Sequence, residues 1–137
     1  MKTLHYDDLQ VGDRLPEQQL PITTSLIVAS ALATRDFEKV HHDKAVAQAS
    51  GMPDVYMNIL TSQGLMETYV TRWSGPETRV KKVALRLGAP NVPGATMTIT
   101  GEIKSKRDGL IEIEVTGEND NWGTHMKGVV SIELPGA

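Results

Sequence analysis

From Thr78 to the end of the chain, hydrophobic and polar residues alternate with a period of two. Val83, Leu85 and Leu87 alternate with Lys82, Ala84 and Arg86, and Met97 and Ile99 sit between threonines. Ile111, Ile113 and Val115 alternate with Glu112 and Glu114, and Val130, Ile132 and Leu134 with Ser131 and Glu133. This alternation predicts about four antiparallel strands, each with one buried face. Asp108-Gly109 reads as a tight hairpin turn and Asn119 to Gly123 as a looser one. Upstream the period lengthens. Leu60, Gly64, Met66, Tyr69, Val70 and Trp73 recur at roughly helical spacing, which predicts a helix over Met57 to Trp73 that Ser74-Gly75-Pro76 stops. Gly64 inside it costs about 1 kcal/mol relative to alanine. Either close approach of the helix to a sheet offsets that cost, or the glycine is simply tolerated.

The first dozen residues read as a polar lead-in, with a turn at Val11-Gly12-Asp13. Pro16 and Pro21 restrict any strand over Leu15 to Thr23 to a short or edge position. Thr24 or Ser25 is suited to cap a helix over Leu26 to Thr34, a segment apolar on every side and so predicted to be buried. A short helical turn over Lys44 to Ala49, with Asp43 as its cap, ends at Gly51-Met52-Pro53. A long helix and a set of antiparallel strands make an α+β domain, the helix lying on the sheet.

The 137 residues make one domain, residues 1–137, large enough for a real core. A net charge of −3 gives no electrostatic footprint for nucleic acid or an anionic membrane. No cysteine is present, which excludes disulfides, thiolate nucleophiles and cysteine-bound zinc. No apolar run approaches a membrane span, and a cytoplasmic protein is expected. His-Glu-x-x-His spacing is absent, so no metal is predicted, and without a Gly-x-Ser-x-Gly elbow or a phosphate-binding glycine loop the serine-hydrolase and nucleotide-dependent readings fall away.

Candidate chemistry is concentrated between Ala33 and Asp43, which holds Arg35, Asp36, Glu38, His41, His42 and Asp43. Asp36 and His41 are five apart, which on a continuous helix would separate them by roughly 140°. To act on one atom they need a loop at Phe37 to Val40 that turns them toward each other. A carboxylate and an imidazole sharing one water are suited to proton transfer. The bland alternative makes Asp36 a helix cap and His41 a surface histidine. His42 is read as a surface residue, and His5 and His125 as isolated.

Asp36, five residues later His41 and then Asp43, with hydrophobic Val40 before the histidine, resembles the Asp-x-Asn-Pro-hydrophobic-His-x-Asp motif of the MaoC-like (R-specific) enoyl-CoA hydratases. Glu38 and Lys39 stand where that motif has Asn-Pro. Ala31 to Phe37, Val40 to Asp43, Asn58 to Thr61 and Gly64-Leu65 are more similar still to one branch. That branch is the short single-domain subunit of the actinobacterial hydratase of the cholesterol side chain. The likeness runs from about residue 18 to about residue 133. It implies a single hotdog fold, with the long helix wrapped by the sheet. It implies hydration of a trans-2-enoyl-CoA, with Asp36 as base and His41 as the partner that holds the water. Backbone N–H groups of Asn58 and Ile59 would face the thioester oxygen, although the family has His-Gly where Met57-Asn58 stands here.

Coenzyme A would be part of the substrate and no cofactor is implied. Arg35 is either an ion-pair partner or a contact for the coenzyme A phosphates. Lys82 and Arg86, with Arg79 and Lys81, form either a phosphate contact or a solvated strand face. The branch also implies a steroid-CoA with a three-carbon side chain and an α2β2 heteromer with a MaoC-like/DUF35 subunit. Through that subunit it implies a thiolase-like aldolase; a homodimer is the form left open to the chain expressed alone. A hotdog acyl-CoA thioesterase and a non-catalytic hotdog subunit are the alternatives.

Overall fold

Five antiparallel strands form one sheet in the order β1-β3-β4-β5-β2. They are β1 (Arg14–Pro21), β2 (Arg79–Leu87), β3 (Thr96–Arg107), β4 (Leu110–Asn119) and β5 (Gly123–Glu133). The computed structural model describes residues 2–137, with helices α1 (Thr24–Ala33), α2 (Lys44–Ala49) and α3 (Ile59–Ser74). The four strands after α3 match the period-two segments, and β1 is an edge strand, as its prolines require. Only β3, β4 and β5 form a meander. β2 crosses to the far edge and pairs with β5 rather than with β3.

Registered neighbours place Ile111, Ile113 and Val115 of β4 beside Ile132, Val130 and Gly128 of β5, all on the face that α3 covers. Val83 and Leu85 continue that row on β2. Val80 and Val83, three apart, both pack against this core because a bulge between Val80 and Lys82 absorbs one residue. Lys82 and Arg86 therefore point to the opposite face, in the rows of Glu112 and Thr116.

Several expectations change in three dimensions. The cap of α1 is Thr23, one residue earlier than expected, its hydroxyl accepting from the Leu26 N–H. That helix is not buried all round: Ile27 and Ala31 face the core, while Leu32 is half exposed. Along α3 the buried stripe is Thr61, Ser62, Met66, Tyr69, Val70 and Ser74, and Leu60 and Gly64 face outward. No atom outside its own helix lies within 4 Å of where a Gly64 side chain would begin. The close helix–sheet contact occurs at Gly101 of β3, where an added Cβ would stand 3.0 Å from the Tyr69 ring. The lead-in is also anchored. Leu4 N–H donates to Ser74 at the end of α3, and Tyr6 N–H to Pro135.

Candidate active site

α1 ends in a Schellman motif, the Asp36 N–H donating to the Ala31 carbonyl at 2.9 Å and the Arg35 N–H to that of Leu32 at 3.0 Å. Arg35 occupies the left-handed position of the motif, with φ +56°, where glycine is the usual residue. The chain reverses at Arg35, and Asp36 emerges beyond the helix end. Its Oδ1 then accepts the Glu38 N–H at 3.1 Å, and a 3-10 turn over Lys39–His41 brings the imidazole round. His41 Nε2 lies 3.4 Å from Asp36 Oδ2. No continuous helix joins the two: α1 ends at Ala33, before Asp36, and the 3-10 turn over Lys39–His41 completes the approach.

Each member is held by groups that their spacing does not reveal. His41 Nδ1 lies 2.6 Å from the Tyr56 carbonyl, and the Tyr56 ring meets the imidazole edge-on at 5.1 Å. A carbonyl only accepts, so Nδ1 carries the hydrogen, and in the neutral ring Nε2 presents its lone pair toward Asp36. His42 is half-buried rather than free on the surface. Its Nε2 lies 2.9 Å from the Asp36 carbonyl oxygen and donates to it. Asp43 does cap α2, accepting from the N–H groups of Ala45 and Val46.

Asn58 is the N-cap of α3, its Oδ1 accepting the Thr61 N–H at 3.0 Å. Its Nδ2 donates to Asp36 Oδ2 and to Thr34 Oγ1, both at 2.9 Å. Asp36 is held below the ordinary carboxylate range, first by the Asn58 amide and next by the Glu38 N–H. Burial opposes this, and His41 and His42 add smaller charge effects in the lowering direction. Asp36 is thus an anion at neutral pH, with 24% of its side chain accessible against 9% for His41.

The backbone N–H groups of Asn58 and Ile59 lie at the open start of α3 and donate no hydrogen bond among the described residues. One turn further, the Ser62 hydroxyl meets His125 Nε2 at 2.8 Å, and His125 Nδ1 donates to the Ala89 carbonyl at 2.7 Å. His125 is therefore a buried member of the support beneath α3, not an isolated histidine. Burial pushes its pKa below the ordinary imidazole range, against the opposing Ala89 hydrogen bond. Arg35 is exposed beside Asp36, whereas Lys82 and Arg86 lie on the sheet face away from α3 and are not brought to the pair. A cavity of about 810 Å³ lies by Pro76–Arg79 and the β3–β4 turn, at the other end of α3; the pair is not part of it. Among the described residues there is no cluster of metal-ligating side chains, and no helix is long and apolar enough to cross a membrane.

A long helix laid on a five-stranded sheet in this order is a hotdog domain. One whose helix begins beside an ionised carboxylate and a held imidazole is equipped for proton transfer. The chain belongs to the MaoC-like family: the sequence profile of the MaoC like domain matches residues 10–123. It is similar to the 3-oxo-4,17-pregnadiene-20-carboxyl-CoA hydratase beta subunit of Mycobacterium tuberculosis. The two are 44% identical over 124 residues, which is 90% of this chain and 95% of the relative. Among solved structures it matches a chain of the ChsH1-ChsH2 complex from Mycobacterium tuberculosis, with a TM-score of 0.89 and 44% identity. That match covers 91% of this chain and 98% of the other. The R-hydratase PhaJ1 from Pseudomonas aeruginosa shares the fold at a TM-score of 0.84 and 21% identity, over 97% of this chain and 86% of its own.

Proposed function

We propose that the chain is an enoyl-CoA hydratase subunit that adds water across the double bond of a trans-2-enoyl-CoA. The observation that carries this reading is the 3.4 Å separation of His41 Nε2 and Asp36 Oδ2, both hydrogen-bond acceptors when the ring is neutral. Two acceptors do not bond each other, but one water donating a hydrogen to each satisfies both and turns its lone pair outward. As the water oxygen bonds the β-carbon, Asp36 takes one of its protons and the double-bond electrons move onto the thioester carbonyl. That proton then passes to the α-carbon, directly or through Nε2, so that H and OH are added and both side chains return to their starting state. N–H groups of Asn58 and Ile59 at the α3 N-terminus are the proposed donors to the oxyanion. The chemistry needs no resident cofactor, and a coenzyme A substrate accords with a cytoplasmic setting. Arg35 remains the candidate phosphate contact within reach of the pair.

The similarity to a 3-oxo-4,17-pregnadiene-20-carboxyl-CoA hydratase subunit supports a steroid-CoA of that type as substrate. The structural match to one chain of the ChsH1-ChsH2 complex supports a two-subunit assembly. Leu32, Phe37, Ile59 and Leu60 are 50%, 65%, 52% and 47% exposed around the start of α3 and the Asp36 turn, an apolar surface for sterol rings or a partner to cover. The assembly proposed is α2β2 with a MaoC-like/DUF35 subunit, passing its tertiary alcohol to a thiolase-like aldolase. Loss of the enoyl-thioester absorbance with a steroid enoyl-CoA, by the chain co-purified with that neighbour, is the expected result. Release of free thiol would make the enzyme a thioesterase, and no reaction with any enoyl-CoA, alone or with the partner, would leave only a scaffold.

A further inference from the structure

Asn58 is buried and its side-chain amide is fully used: two hydrogens donated, to Asp36 and Thr34, and an oxygen that accepts from the Thr61 N–H and hydroxyl. This pattern fixes the amide orientation, because the Thr61 N–H only donates and the Asp36 carboxylate only accepts. We propose that the Asn58 side chain is the positioning residue of the site, tying the Asp36 carboxylate to the first turn of α3. The inference rests on the hydratase reading. It assigns to the side chain a role separate from that of the Asn58 backbone N–H.

Three consequences follow from the geometry. Nδ2 binds Oδ2, the oxygen that faces His41, while Glu38 N–H binds Oδ1. The two donors hold the carboxylate from both sides and set the 3.4 Å separation of Oδ2 and Nε2, beside which one water can donate to both. Thr34, at the end of α1, receives the second hydrogen, so α1 and α3 are pinned at the same point that aims the base. The amide also favours the charged form of Asp36.

The test uses Asn58→Ser and Asn58→Asp in the purified chain with its partner. Serine and aspartate are both good N-caps, so α3 keeps its cap in each. The serine variant, which buries no new charge, should melt nearer the wild type than the aspartate variant, which buries a second carboxylate beside Asp36. Serine is too short to reach Asp36, and aspartate replaces the donor by a like charge. The expected result is a fall in turnover of about ten- to a hundredfold, with KM little changed and the acid limb of the pH–rate profile moved to higher pH. A carboxyl NMR titration of Asp36 should move the same way, without substrate. An acid limb and an Asp36 titration unchanged in both variants would overturn the inference, even if activity fell through a loosened helix. Asp36→Asn separates the two readings. If it abolishes hydration while the Asn58 variants titrate like wild type, only the role of Asn58 fails. If it hydrates at the wild-type rate, the role of Asp36 as base fails; if the wild-type complex hydrates no enoyl-CoA, the hydratase reading itself fails.

Discussion

At the scale of single residues, the site is two side chains and the groups that aim them. Removing the proposed base in Asp36→Asn, or the nitrogen proposed to hold the water in His41→Ala, should lower turnover by about two to four orders of magnitude while the fold persists. Wild-type turnover in either purified variant would refute the assignment. Arg35 has a different task, since its left-handed backbone turns the chain so that Asp36 leaves α1. Glycine adopts that conformation without the Cβ clash, so Arg35→Gly should raise stability in urea by up to about 1 kcal/mol. A raised KM for the coenzyme A thioester in the same variant would show that the guanidinium also meets phosphate. His125 gives the fold a pH dependence. Its folded-state pKa lies below the ordinary 6.5, so the unfolded chain takes up the proton first. Its contribution is complete above that value and declines as pH falls below it. Asp36, depressed from 3.8, contributes a further loss at lower pH still. Melting temperature followed downward from neutral pH should fall, and His125→Gln should flatten the first part of that fall.

At the scale of elements, α3 gathers the groups around Asp36. Its start carries Asn58 and the free amides, and its buried stripe opens with Thr61 and Ser62 before the apolar Met66. A hydropathy pattern cannot register such a stripe, because Ser62 is buried on account of His125 on β5, 63 residues away. The same blindness explains the glycines. Gly64 lies on the open side of α3, so Gly64→Ala should stabilise the isolated chain by about 0.5–1 kcal/mol. Gly101 lies under Tyr69, and Gly101→Val should cost about 1–3 kcal/mol by overpacking. Opposite signs at the two sites, read from denaturant midpoints, would confirm which glycine admits the helix.

At the scale of the whole molecule, the sheet has two unpaired edges, β1 and β2. β1 is blunted by Pro16, Pro21 and a bulge between Leu15 and Gln18. β2 carries charged Arg79, Lys82 and Arg86 and its own bulge. A cluster of exposed apolar side chains lies instead at the end where α1, the Asp36 turn and the start of α3 meet. A partner seated there should protect the amides of Phe37, Ile59 and Leu60 from hydrogen exchange in the co-purified complex. Unchanged exchange at all three would place the partner elsewhere.

The sequence by itself determined what depends on near neighbours along the chain. Period-two and helical spacing marked the four later strands and α3, proline marked β1 as an edge, and the five-residue gap between Asp36 and His41 meant that the pair could meet only if no helix ran through both. Only the tertiary structure decided what depends on contacts between distant residues: the crossing of β2 to pair with β5, the burial of Ser62 against His125, and the clamp of Asn58 on Asp36 from 22 residues away. A hydrogen bond between distant residues leaves no period in the sequence, because its geometry exists only once α1 and α3 are packed side by side.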